Sequence, residues 1–172
     1  MMNDDPFDLE RFVIEQNKDG IYEVAIKELR AGQKRSDWMW FVFPQLHREG
    51  LNSYSERFAI RSREEAIAYL EHDVLGPRLR RCTRLVARSG AVSARVLMGS
   101  SVDESKLKSS MTLFAEVSDE DDDFVAVLRK YFPAGRDQET LKKLKPTSPT
   151  PQASSQTKHR RRRWPRRRRT DD

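Results

Sequence analysis

The chain has 172 residues, 37% of them hydrophobic and 35% charged, which suffices for one domain core and leaves a remainder outside it. Its longest apolar run, Trp38 to Phe43, falls far short of the ~20 residues that cross a bilayer, and the acidic start with Asp4, Asp5 and Asp8 is unlike a signal peptide. The single cysteine, Cys82, excludes an internal disulfide framework and a multi-cysteine zinc site, so the expectation is a cytoplasmic protein without integral membrane association. The net charge of +6 is unevenly placed: residues 1–144 hold 23 Lys and Arg against 25 Asp and Glu, whereas residues 145–172 hold 10 against 2. The basic character belongs to the C-terminal tail, and the body is close to neutral.

In chain order, Asp5-Pro6 reads as a cap followed by proline at the first helical position, with Asp8 in the first turn and Leu9, Phe12, Val13 and Gln16 at helical spacing. Tyr22, Ala25, Ile26 and Leu29 repeat that spacing until Gly32 closes the helix. The aromatic run Trp38–Phe43 has no amphipathic period. A turn or two of helix capped by Ser36 and stopped before Pro44 fits its neighbours better than a strand. Ser62 and Glu65 form a capping box ahead of Ala66, Ile67 and Leu70. Gly76-Pro77 opens the next helix, with Leu79, Cys82, Leu85 and Val86 inward and Gly90 as its stop. Ser93 caps a short helix through Val96, Leu97 and Met98. Residues 104–117 carry a stripe of Leu107, Met111 and Phe114. The acidic run Asp119–Asp123 leads into Phe124, Val127, Leu128 and Tyr131, and Thr140–Leu144 adds a last turn. No stretch alternates as a half-buried strand does, so the body is expected to be all-α, a single multihelical domain over residues 1–144.

Residues 145–172 are expected to be a disordered tail. The prolines and polar residues of 145–157 offer almost nothing to bury, and the arginines that follow repel one another. Lys158, Arg160, Arg161, Arg162, Arg163, Trp164, Arg166, Arg167, Arg168 and Arg169 are the expected contacts to nucleic acid, bound without sequence preference, with Trp164 available to stack on an unpaired base.

Three blocks are distinctive: Arg35-Ser36-Asp37-Trp38-Met39-Trp40-Phe41-Val42-Phe43-Pro44-Gln45-Leu46, the stretch Glu65–Leu79, and Lys106-Leu107-Lys108-Ser109-Ser110-Met111-Thr112-Leu113-Phe114. Together, and in this order, they resemble the bacterial family called domain of unknown function 1810, over about residues 5–144. The resemblance implies a mainly helical single domain and carries no reaction with it. Some relatives bear the label calpastatin, but nothing here resembles the long inhibitory repeats of that protein. Departures are small: Asp73 follows His72 where proline is usual, and Val102 precedes Asp103 where proline is again usual.

On a helix, Lys106, Ser109 and Ser110 share one face. Two small hydroxyls under an ammonium suit an anion, since each hydroxyl both donates and accepts. The competing reading is that both serines pack against a neighbouring helix and bond their own backbone. Trp38 and Trp40 lie beside Lys34, Arg35 and Gln45, a grouping suited to a ring bearing a phosphate, although tryptophans more commonly fill a core. The candidate ligand-binding set is therefore Lys34, Arg35, Trp38, Trp40, Gln45, Lys106, Ser109, Ser110 and Thr112, for a small anionic or nucleotide-like molecule. No cofactor or metal is expected: His47 and His72 lack metal-ligand spacing, the acidic run lacks calcium-loop spacing, and no glycine-rich phosphate loop occurs. No residue is identified as catalytic. The alternative is a scaffold whose blocks are only core and whose tail supplies the binding.

Overall fold

The computed structural model describes residues 4–118 and 122–145. Residues 146–172, with all of the expected nucleic-acid contacts, and residues 119–121 lie outside the described residues. Among the described residues ten α-helices follow one another: α1 (Glu10–Asn17), α2 (Ile21–Arg30), α3 (Met39–Val42), α4 (Ser53–Arg57), α5 (Arg63–Glu71), α6 (Leu75–Arg88), α7 (Ala94–Met98), α8 (Ser101–Val117), α9 (Asp122–Tyr131) and α10 (Gln138–Leu144). No β-strand occurs among the described residues, as the absence of alternation predicts. One isolated parallel bridge joins Leu46 to Ile60.

Helix α8 is central, packing against α5, α7, α9 and α10, while α6 packs against α2, α5 and α9. The stripes read from the sequence face this core: Phe12, Ile26, Leu29, Leu79, Cys82, Val86, Leu107, Met111, Phe114, Phe124 and Val127 are all buried. Rings interlock within it, with Tyr69 edge-on to Phe12 at 5.1 Å and Phe114 stacked on Phe124 at 5.8 Å. Gln16, counted with the apolar stripe, is buried because its amide is fully used. It donates to the Phe41 carbonyl (2.7 Å) and the Tyr69 hydroxyl (3.2 Å), and accepts from Arg78 (3.2 Å).

Several caps act differently from their sequence reading. Asp5 does not begin a helix at Pro6. Its carboxylate reaches over a turn to accept from the Leu9 and Glu10 amides at 2.8 and 2.9 Å, so α1 begins four residues later. Ser62 accepts from the Glu65 amide as a capping box requires, but Glu65 returns its bond to the Arg61 amide and pairs with Arg11 at 2.6 Å. Ser36 does not cap α3. Its hydroxyl donates to Glu28 at 2.5 Å. Ser93 and Ser100 cap α7 and α8 by accepting from the amides three residues on. Between α5 and α6 the chain turns so tightly that a Cβ on Gly76 would lie 2.0 Å from the Leu70 carbonyl oxygen. Only glycine fits there.

Candidate functional site

The segment 34–46 is organised by Glu28, a residue that sequence reading left in the background. Its carboxylate accepts from the Arg35 and Ser36 amides (2.8 and 3.1 Å), the Ser36 hydroxyl and the Trp38 indole Nε1 (2.8 Å). Burial pushes this carboxyl up, but the four donors outweigh it and hold it below the usual glutamate range. Trp38 is thereby fixed, fully buried against Phe43, and offers no face to a ligand in this conformation. Arg35 is exposed, with its guanidinium donating to Gln33.

Trp40 points elsewhere, as alternate positions on a short helix must. Its ring meets Tyr54 edge-on at 5.5 Å and carries the Lys106 ammonium 4.3 Å above its centre. Lys106 is also held by Asp103, one turn earlier on α8, at 3.2 Å. The other oxygen of Asp103 takes Lys34 at 2.7 Å, and Lys34 lies 5.2 Å from the Trp38 ring centre. Side chains of Lys34, Lys106 and Asp103 retain 6%, 12% and 15% of their exposure. Two ammoniums thus share one carboxylate between two tryptophans, leaving one positive charge in excess. The structure joins Lys34, Trp38, Trp40 and Lys106 through Asp103, which the sequence did not single out.

The serine face divides. Ser109 donates to Asp137 at 3.1 Å, and the same carboxylate oxygen caps α10 by accepting from the Thr140 amide (3.1 Å) and hydroxyl (2.6 Å). Thr112 accepts from the Asp137 amide at 3.0 Å. Ser109 and Thr112 therefore tie α10 to α8. Ser110 is fully buried and its hydroxyl has no partner, and the Gln45 Oε1 and the Trp40 Nε1 share that condition. Beside Gln45 and Ser109 a cleft of about 10 Å³ opens between Asp137, Thr140 and Lys143, room for about one water molecule. An open groove of about 800 Å³ adjoins it, flanked by Arg61, Arg63, Lys143 and Lys145, none of them in the set read from the sequence.

Among the described residues no cluster of His, Cys, Asp and Glu is arranged to hold a metal ion. His72 accepts from the Val74 and Leu75 amides at the start of α6, and His47 lies 3.8 Å from Glu56. Cys82 is buried among apolar side chains, which pushes its thiol up to about 12. No described helix is long and apolar enough to cross a membrane.

Comparison with curated proteins finds no match. Among solved structures, the crystal structure of the conserved hypothetical protein Rv1873 from Mycobacterium tuberculosis is similar, with a TM-score of 0.77 and 51% sequence identity, covering 81% of this chain and 98% of that one. The profile of the family described as "Protein of unknown function (DUF1810)" matches residues 6–144, so the chain belongs to the DUF1810 family.

Proposed function

We propose that the helical body binds a small anionic group along the seam between α8 and the segment 38–46, with Lys106 as its principal charge. The observation that carries this reading is the pairing of excess positive charge with unused polar atoms. Lys34 and Lys106 share the single carboxylate of Asp103. Along the same seam the Trp40 Nε1, Ser110 hydroxyl and Gln45 Oε1 are buried without protein partners. Each such atom costs about 1–3 kcal/mol when left unpaired, which favours an occupant that accepts from the indole and the hydroxyl. The enclosed cleft beside Gln45 and Ser109, only about 10 Å³, has room for about one water molecule, so it excludes a whole nucleotide, and a phosphate-sized anion enters only if the side chains of the seam part. Trp40 and Ser110 would donate hydrogen bonds, Gln45 Oε1 would accept one from a protonated oxygen of the anion, Lys34 would add charge, and Ser109 and Thr112 would fix the position of α8 against α10. No reaction is proposed.

The test is thermal denaturation of the full chain with phosphate, pyrophosphate or sulfate at fixed ionic strength. A rise in midpoint with at least one anion, lost in Lys106→Met, is expected. No rise with any of them, or an equal rise in the variant, contradicts the assignment.

A second reading rests on the tail sequence, whose eight arginines, Lys158 and Trp164 suit non-specific nucleic-acid binding. Replacing the eight arginines by serine in the full chain should weaken duplex binding and flatten its salt dependence. Unchanged binding would dismiss it.

A further inference from the structure

Outside the seam and the tail, the strongest concentration of positive charge among the described residues is on α6. Five of its 14 residues are arginines (Arg78, Arg80, Arg81, Arg84 and Arg88) and none is acidic. The helix is anchored by Leu75, Leu79, Cys82 and Val86 in the core. Arg78 is spent on Gln16, Asn17 and the Tyr22 ring, and Arg80 lies over the Phe124 ring. The exposed positions that remain are Pro77, Arg81, Arg84 and Arg88. Steps of three and four residues place the three arginines in one stripe, spanning about 10.5 Å along the axis.

The surroundings reinforce the stripe. Arg30 at the end of α2 borders the same shallow groove as Arg88, and Lys130 of α9 donates to the Ala87 and Ser89 carbonyls beside it. Among the described residues, Asp123 lies 3.5 Å from Arg84, and Glu23 lies near Cys82 on the α2 side. Arg81 reaches the Tyr22 hydroxyl, which orients it without neutralising it.

We infer that this stripe docks the phosphate backbone of duplex nucleic acid, independently of sequence. The reach of about 10.5 Å covers three axial steps of about 3.4 Å, the span of four successive phosphates on one strand, which allows one contact per arginine. Guanidinium forks grip phosphate oxygens bidentately, and every basic residue on this helix is arginine rather than lysine. The stripe presents no exposed aromatic or large aliphatic side chain, which separates it from a base-stacking channel or a membrane-inserting helix. Its seat on the core fixes the spacing of the three arginine backbones before any ligand arrives. The inference uses no residue of the anion site and none of the tail.

The experiment compares three full-length chains, so that the tail is common to all: the native chain, Arg81→Gln/Arg84→Gln/Arg88→Gln, and a control with the same charge change elsewhere, Arg57→Gln/Arg61→Gln/Arg95→Gln. Binding to a fluorescent DNA duplex is titrated at several salt concentrations. The stripe variant should bind more weakly, and its log affinity should fall less steeply with log salt, by about 2.7 in slope for three lost contacts. The control should keep the native slope. Equal slopes for native and stripe variant, or an equal loss in both variants, overturn the inference. So does a stripe variant that keeps its DNA slope but loses binding to phosphatidylserine vesicles, which would assign the stripe to an anionic membrane surface. Matching thermal midpoints of the three chains confirm that folding is not the variable.

Discussion

Replacing Asp103 by asparagine separates the charge at the seam from its shape. The native carboxylate holds Lys34 at 2.7 Å and Lys106 at 3.2 Å, in surroundings that leave the three side chains 6–15% exposed. The amide is nearly isosteric but removes the carboxylate that pairs with both lysines among the described residues, and its NH2 group must face one of the two ammoniums. Breaking a fully buried ion pair costs about 3–5 kcal/mol, and an exposed one about 0.2–1 kcal/mol. The residual exposure here places the loss near 2 kcal/mol. With an unfolding entropy of about 2.1 cal/mol/K per residue over the folded body, the midpoint should fall by about 7 °C. The same change doubles the excess positive charge, so phosphate at constant ionic strength should restore more stability to Asp103→Asn than it gives the native chain. Calorimetry of both full-length chains in matched chloride and phosphate buffers is the assay. A variant within about 1 °C of native, with the same phosphate response, would refute the electrostatic reasoning.

Three further outcomes follow from other parts of the fold. Because Glu28 is held below its ordinary value of 4.5, its stabilisation is present above that value and lost as pH falls through the lower folded one. The stability gap between native and Glu28→Gln should therefore be full at neutral pH and close on acidification, as read by urea unfolding at a series of pH values; a gap independent of pH would remove the ionised carboxylate from the account. Gly76→Ala should cost more than about 3 kcal/mol, because the added Cβ meets backbone that cannot swing away, whereas Gly90→Ala, with open space around it, should change stability by less than about 1 kcal/mol. Chemical denaturation of both variants distinguishes them. The Cys82 thiol, pushed up to about 12, should resist an aromatic disulfide reagent at about pH 8 until the chain unfolds; rapid native labelling would contradict its burial.

Helical stripes were legible because burial repeats every third or fourth residue, and Tyr22, Leu29, Leu79, Leu107 and Phe124 all lie where that rule puts them. The short α4 was missed: it is five residues long, contributes no buried side chain, and is announced only by Asn52, whose side chain accepts from the Ser55 amide. At the candidate site, Lys34, Trp40 and Lys106 could be named as suitable residue types, but the partner joining them could not. Asp103 is an ordinary first-turn acid in the sequence, and its role comes from Lys34 arriving 69 positions away in the chain. Glu28 and Asp137 were hidden for the same reason: each satisfies backbone amides on a distant or following segment, a use that leaves no periodic mark. Ser109 and Thr112 were noticed for their hydroxyls, whose partners lie across the α8–α10 contact. The arginines of α6 passed unremarked because the near-neutral balance of the body concealed how unevenly its charges are distributed.

The indole of Trp40 is the most direct reporter of the anion site, since its Nε1–H is buried without a protein partner while that of Trp38 is held by Glu28. Two-dimensional nitrogen–proton spectra of the full chain should be followed through a titration with inorganic phosphate at constant ionic strength, with Trp40→Phe assigning the signal. Binding along the seam predicts a saturable shift of the Trp40 indole signal, a nearly stationary Trp38 signal, and loss of the shift in Lys106→Met. A Trp40 signal that stays fixed, or that moves equally in Lys106→Met, would contradict an anion site at Lys106.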